Sequence, residues 1–205
     1  MRTTPILWIA FVLGLAACGT STNPTNPQGL DWHYYLDTHQ TLMSDILKYG
    51  TKINRYIETI HHTNGKVDTN FLGGTMVDWD VYIKPFVAMN MRDSSFQGLY
   101  IMRQDIDTNT KTVDIRYDPL YENTPVRLMI VKMSTTTSEV ESVYGELKNK
   151  GAFTVDEQKV LYHPGKLIQI VESKGTLNGK QERSARQLDF IQPTPEITIT
   201  NALDK

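Results

Sequence analysis

The hydrophobic residues of this chain change their spacing at Gly65, and that change limits the folds that the chain can adopt. Before Gly65 they recur every three or four positions, which is typical of one face of an α-helix. After Gly65 apolar and polar residues alternate in short runs, which is typical of half-buried β-strands. The sequence therefore predicts a helix first and mostly strands after it.

The helix is predicted to run from Asp37 to His62. Asp37 and Gln40 form a capping-box-like pair at its start, and Asn64-Gly65 ends it with residues suited to left-handed backbone. Its apolar stripe consists of Leu42, Ile46, Tyr49, Ile53, Tyr56 and Ile60. We expect this stripe to pack on the sheet. The same spacing also fits a coiled coil with a partner, which tyrosines at the seam positions disfavour.

Seven later segments are predicted to be strands: 76–83, 99–105, 112–117, 126–133, 159–162, 166–174 and 180–191. Hairpin turns are predicted at residues 107–110, at Pro164-Gly165 and at Asn178-Gly179. Residues 197–200 also alternate, but the prolines before them restrict that segment to an edge strand or a loose end.

A second, shorter helix is predicted between Ser138, which forms a capping box with Glu141, and Gly151. Its apolar stripe consists of Val140, Val143, Tyr144 and Leu147. Together the elements predict an α+β fold, in which a long N-terminal helix packs on a mainly antiparallel β-sheet with a second short helix. Residues 30–205 are expected to form a single domain.

Residues 1–17 have the layout of a signal peptide. Arg2 supplies a positive charge, an apolar run extends from Ile6 to Leu15, and the small residues Ala16 and Ala17 follow. The run is too short for a transmembrane helix, which needs ~20 apolar residues.

The only cysteine, Cys18, stands where the apolar run ends. Leu15-Ala16-Ala17-Cys18, followed by Gly19, resembles the lipobox of bacterial lipoproteins. The resemblance implies that residues 1–17 are removed and that Cys18 carries lipid, with the polar residues 18–29 as a tether. In such proteins Asp after the cysteine commonly marks the inner membrane, so Gly19 implies the outer membrane and its periplasmic face. A Gram-positive host with one membrane is the alternative.

Two polar groups are candidate catalytic or metal sites. Glu58, His61 and His62 lie within one turn of the predicted helix, so a carboxylate and imidazoles could share a metal. Further ligands could come from His33, His39 or His163. The simpler interpretation is that these histidines face water near the helix C-terminus, where its dipole favours them.

The second group is Asp78 and Asp80, which flank Trp79 in a predicted strand. Carboxylates two residues apart on a strand lie ~7 Å apart, a distance compatible with glycoside hydrolysis. Alternation alone explains them equally well, because the polar face of a half-exposed strand carries polar residues.

A third group is aromatic. Trp32, Tyr34 and Tyr35 directly follow the tether. They are suited to lipid headgroups or a protein interface, or they could cover the start of the helix.

The charge balance and the absent motifs narrow the function. A formal charge of −2 and a pI of about 6.2 provide no positive field for nucleic acid. The common hydrolase, zinc-protease and nucleotide-binding motifs are absent. The prediction is a non-enzymatic envelope lipoprotein that binds or scaffolds other envelope proteins, without metal or cofactor. The alternatives are an apolar-ligand carrier or sensor with an enclosed cavity and, third, a hydrolase without a sequence signature.

Overall fold

One antiparallel sheet of nine strands dominates the computed structural model, which describes residues 37–50, 55–176, 179 and 181–191. The helices are α1 (Thr38–Gly50) and α2 (Trp79–Ala88). The strands are β1 (Arg55–His61), β2 (Val67–Gly73), β3 (Tyr100–Asp107), β4 (Thr112–Pro119), β5 (Val126–Ser134), β6 (Val140–Lys150), β7 (Thr154–His163), β8 (Leu167–Thr176) and β9 (Gln181–Phe190).

The strand order across the sheet is β2-β1-β9-β8-β7-β6-β5-β4-β3. Strands β3 to β9 follow one another as a meander, each paired antiparallel with the next. Strand β1 then pairs with β9, the last strand of the meander. Among the described strands, β2 and β3 are therefore the two edges of the sheet.

Both helices pack on one side of the sheet, which we call the inner face; the opposite side is the outer face. The α2 residues Tyr82 and Phe86, and Met89 directly after α2, are fully buried against this face. Phe86 packs edge-on against Tyr162 of β7 with the ring centroids 5.7 Å apart. Helix α1 contributes the buried Leu42, and so the core lies between the two helices and the inner face.

Polar contacts fix α1 over this core. The buried Thr38 hydroxyl donates to the carbonyl oxygen of Phe86 at 2.8 Å, which joins the start of α1 to α2. The Tyr162 hydroxyl donates to Asp45 at 3.0 Å. Burial raises the pKa of Asp45, and the hydrogen bond from Tyr162 partly opposes that rise.

The predicted long helix from Asp37 to His62 is wrong. Helix α1 ends at Gly50, and Arg55–His61 forms strand β1. Residues 55–61 are rich in isoleucine, threonine and tyrosine, which favour extended backbone when partner strands are present. Strands β9 and β2 supply those partners on both sides. Ile53 lies outside the described residues.

The predicted second helix is also wrong, because Val140–Lys150 is strand β6. Val143, Gly145 and Leu147 alternate on the inner face, and this period of two coexists with the apolar spacing that suggested a helix. Strands β5 and β7 pair with β6 on both sides. Ser138, the expected cap, instead lies before β6 with a positive φ of 57°.

The strand predicted at residues 76–83 is wrong as well, because Trp79–Ala88 is helix α2. Most residues of this segment are apolar, so the segment fits helical spacing as well as the alternation of a strand. Tyr82, Pro85 and Phe86 are buried at helical spacing. The α+β fold class with a long N-terminal helix is therefore wrong: the described chain is mainly β, with two short helices on one face.

The other predicted strands overlap observed ones. Residues 99–105 and 112–117 correspond to β3 and β4, and residues 126–133 to β5. The last three predicted strands correspond to β7, β8 and β9. Gly165 and Gly179 have the positive φ angles that these hairpin turns require. Neither helix of the described chain is long and apolar enough to cross a membrane.

Candidate functional site

The proposed metal ligands do not come together. Glu58 and His61 are three residues apart, which places them on one face of a helix but on opposite faces of strand β1. Nε2 of His62 instead lies 2.8 Å from Oδ2 of Asp68, within hydrogen-bond distance on the exposed surface. A ring nitrogen of His163 lies 3.3 Å from the carbonyl oxygen of Glu141.

The described residues contain no group of three or more His, Cys, Asp or Glu side chains placed to hold a metal. Of the other proposed ligands, His33 lies outside the described residues, and the side chain of His39 is not described.

Glu58 is part of a polar cluster on the inner face. It accepts hydrogen bonds from the Tyr82 hydroxyl at 2.8 Å and from Asn70 at 3.2 Å, and Arg186 lies 4.0 Å away. Burial and the neighbouring Glu58 carboxylate raise the pKa of Tyr82. Tyr82 is fully buried, so no substrate can reach its hydroxyl. The cluster therefore joins β1, β2 and α2 and has a structural role.

Asp78 and Asp80 do not form a carboxylate pair on a strand. Asp78 precedes α2, and Asp80 lies in its first turn, where a negative charge interacts favourably with the helix dipole. Trp79 packs edge-on against Tyr56 with centroids 5.5 Å apart. The Trp79 ring is thus part of the packing between α2 and β1. The aromatic group Trp32, Tyr34 and Tyr35 lies outside the described residues.

A polar cleft of about 430 Å³ lies over β6 and β7. Its charges are largely paired: Lys148 contacts Glu157, and Lys159 contacts Glu146 at 3.0 Å. Because acidic and basic side chains line it in nearly equal number, the cleft favours neither an anion nor a cation.

The edge strand β2 has the strongest features of a binding site. Val67, Thr69 and Phe71 alternate on the outer face, and Phe71 is 77% exposed. Val67 is 50% exposed. A cleft of about 380 Å³ opens beside Phe71, lined also by Tyr56, Leu72 and Ile191. An aromatic ring this exposed beside a cleft is available for a partner to bury.

The backbone of β2 is also available. The His62 amide donates to the Lys66 carbonyl at 2.8 Å, which makes residues 62 and 66 a hydrogen-bonded pair. Hydrogen-bonded pairs alternate along an antiparallel ladder, so residues 68, 70 and 72 bond to β1. Val67, Thr69 and Phe71 therefore direct their N–H and C=O groups away from β1, where no described strand pairs with them.

The opposite edge of the sheet differs in charge. Strand β3 carries Arg103, Asp105 and Asp107 on its outer face, and charged side chains along an edge discourage pairing with another chain. The outer face of β2 carries no charge. Its one charged residue, Asp68, is on the inner face and is paired with His62 and Lys66, which lower its pKa.

Strand β2 was not predicted from the sequence. A usable signal was present, because Asn64-Gly65 is a hairpin turn signal and Val67, Thr69 and Phe71 alternate directly after it. That turn was interpreted as a helix end. Gly65 adopts a φ of 82° in the observed hairpin turn.

Comparisons of the chain with protein-family models, with curated proteins and with solved structures found no match.

Proposed function

We propose that this protein is a non-enzymatic lipoprotein of the bacterial envelope that binds protein chains through the β2 edge. In this proposal Cys18 is lipidated and anchors the protein to the periplasmic face of the outer membrane. The lipobox-like Leu15-Ala16-Ala17-Cys18 supports the anchor. Two features of β2 support the binding role: the exposed Phe71, and the outward-directed backbone groups on a strand whose outer face carries no charge.

Strand addition is the binding mode that suits such an edge. An extended segment that pairs with β2 would satisfy the outward N–H and C=O groups, and its side chains would cover Val67 and Phe71. Backbone hydrogen bonds supply affinity in this mode, and the exposed side chains supply specificity.

The carrier alternative has less support. A carrier needs space between the helices and the sheet, whereas fully buried Tyr82, Phe86 and Met89 occupy that region. The hydrolase alternative has less support because Glu58, a carboxylate on the inner face, is tied to the inaccessible Tyr82.

Replacement of Phe71 by Asp tests the binding role. We expect Phe71→Asp to lower the mass of the protein's complexes, measured by light scattering on the full chain that is cross-linked in its membranes before extraction in mild detergent. A charge at this position would remain unpaired in the interface and disfavour it. The matched control is Ile106→Asp on the other edge, where Ile106 is 63% exposed. An identical mass distribution for wild type and Phe71→Asp would refute the binding role of this edge.

Replacement of Cys18 by Ser tests the anchor. Because serine has no thiol to acylate, we expect Cys18→Ser to leave the protein unprocessed or to release it from the membrane fraction. Two acyl chains are needed for stable anchoring. Cleaved protein that lacks them should therefore be almost absent from the membrane fraction. The measurement is membrane fractionation with mass spectrometry of the mature N-terminus. Normal cleavage and membrane retention in the variant would show that Cys18 is not the anchor.

A further inference from the structure

We propose that the partner at the β2 edge is a second copy of this chain, so that two sheets join antiparallel through their β2 strands. This inference rests on the proposed binding role of that edge and names its occupant. Self-pairing of β2 is antiparallel about a twofold axis, so one residue must face itself. Thr69, at the middle of the exposed Val67–Phe71 segment, is that residue.

The register about Thr69 is self-complementary. With Thr69 opposite Thr69, Val67 of one copy faces Phe71 of the other, and the same pair forms again on the far side of the axis. Val67 and Phe71 of each copy thus each face one apolar partner on the outer face. Cross-strand pairs of a β-branched and an aromatic residue are favourable in sheets.

The charges on the inner face agree with this register. Asp68 of one copy faces Asn70 of the other, so the two Asp68 carboxylates are not opposite each other. A carboxylate opposite an amide allows a hydrogen bond, whereas like charges in opposition would disfavour pairing. Asp68 already has Lys66 as an ion-pair partner and His62 as a hydrogen-bond partner within its own chain.

The backbone requirement is met as well. Val67, Thr69 and Phe71 direct their N–H and C=O groups outward, and the register places these three residues opposite one another. Each opposed pair can exchange two hydrogen bonds, as in an ordinary antiparallel ladder. If the register were shifted by one residue, the outward-directed N–H and C=O groups of one copy would face residues of the other copy whose backbone groups are already bonded to β1.

The symmetry also fits the proposed lipid anchor. A twofold axis through an antiparallel strand pair stands perpendicular to the sheet, so both inner faces point the same way. Helix α1, which follows the tether in the chain, lies on the inner face in each copy. The described part of each chain therefore begins on the same side of the joined sheets, as two anchors in one membrane require.

The strand pair alone is a small interface, below the ~800 Å² per partner of a standard protein interface. Confinement to one membrane compensates, because anchoring raises the effective concentration of one copy near another. We therefore expect the dimer to be stable on the membrane and to dissociate when the released protein is diluted.

Cysteine replacement at the axis tests the proposal. In Thr69→Cys the two introduced cysteines of a dimer would be ~5.5 Å apart between Cα atoms, within the range of a disulfide. We expect mild oxidation of membranes that carry the full-length variant to give a disulfide-linked homodimer. Its rate should exceed that of random collision on the membrane by about tenfold or more.

Two controls use the same chemistry. Thr59→Cys is the matched one, because Thr59 lies beside Thr69 on β1 but one strand away from the edge. Arg103→Cys on the exposed edge β3 measures random collision. Equal dimer formation by Thr69→Cys and Arg103→Cys would overturn the proposal.

The register with Thr69 on the axis can be tested by introducing opposite charges into the Thr69→Cys variant. Phe71→Asp and Val67→Lys should each reduce the disulfide cross-link at position 69. The two together should restore part of it, because the introduced ammonium group of one copy then faces the introduced carboxylate of the other. Failure of the combined variant to recover the cross-link would refute this register.

The remaining outcomes separate the two proposals. If Phe71→Asp lowers the mass of the complexes but Thr69→Cys forms no homodimer, another chain occupies the edge and only the second-copy inference fails. If the thiol introduced by Thr69→Cys does not react with maleimide in native membranes and forms no homodimer, something other than a second copy covers the edge, which also overturns the second-copy inference. If Phe71→Asp changes nothing, the binding role itself fails.

Discussion

Phe86→Ala should be the most damaging single substitution in the described chain, with an expected loss of about 3–5 kcal/mol in the free energy of unfolding. Phe86 is fully buried, and its ring packs on Tyr162 of the sheet. Removing the ring leaves a cavity where α2 meets β7, beneath the contact that Thr38 of α1 makes with the Phe86 backbone. Urea unfolding of the purified full chain measures the loss.

Val87→Ala is the matched control for Phe86→Ala. Val87 is the next residue of the same helix, but it is 52% exposed. We expect its truncation to change stability by no more than about 0.5 kcal/mol. If Phe86→Ala were as mild as Val87→Ala, the packing of α2 on the inner face would be wrong.

Gly145→Ala should destabilise the protein by about 1–3 kcal/mol, although alanine adds only a methyl group. A Cβ atom at Gly145 would lie 2.0 Å from Sδ of Met89, and Met89 is fully buried. The Met89 side chain would have to change rotamer inside a filled core, or α2 would have to move away from β6. Thermal and urea unfolding of the full chain measure the effect.

Two comparisons isolate this close contact. Gly73→Ala should not lower the stability, because a Cβ atom at Gly73 would have no atom within 4 Å beyond its chain neighbours and the φ of Gly73 is not positive. In a Met89→Ala background, Gly145→Ala should be much less harmful than in the wild type, because the clashing sulfur is gone. Additive effects of the two substitutions would exclude a direct contact between them.

The hairpins were predictable from sequence because their signals are local. Residues 107–110, Pro164-Gly165 and Asn178-Gly179 mark turns between alternating segments, and the strands on either side are neighbours in both sequence and space. Turn chemistry and alternation then agree with the tertiary structure. No distant partner was needed to interpret them.

Strands β1 and β6 were not predictable in the same way, because their patterns fit two periods. Residues 55–61 and 140–150 have apolar residues at helical spacing, but they also alternate, and only the presence of neighbouring strands decides between the periods. For β1 the deciding neighbour, β9, lies near the other end of the described chain. Propensity alone carries no information about such a partner.

The candidate site was hidden for a related reason. Its identity as an edge depends on the order of all nine strands, which no local pattern encodes. Once Gly65 was interpreted as a helix end, Val67, Thr69 and Phe71 had no predicted role. The metal hypothesis depended on the same helix interpretation, since Glu58 and His61 share a face only in a helix.

The pairing of β1 with β9 has a consequence for how the chain folds. The meander from β3 to β9 can form through successive local hairpins. Tyr56 of β1, in contrast, pairs with Phe190 of β9, which lies near the other end of the described chain in sequence. Closing that long loop is slow, because chain entropy is lost before the contact stabilises the structure. The β1–β2 hairpin should therefore join the sheet last, and early intermediates should lack the β2 edge in its final position. A newly synthesised chain would then be unable to pair through β2 until its folding is complete, so the late arrival of this strand would protect the chain from premature association.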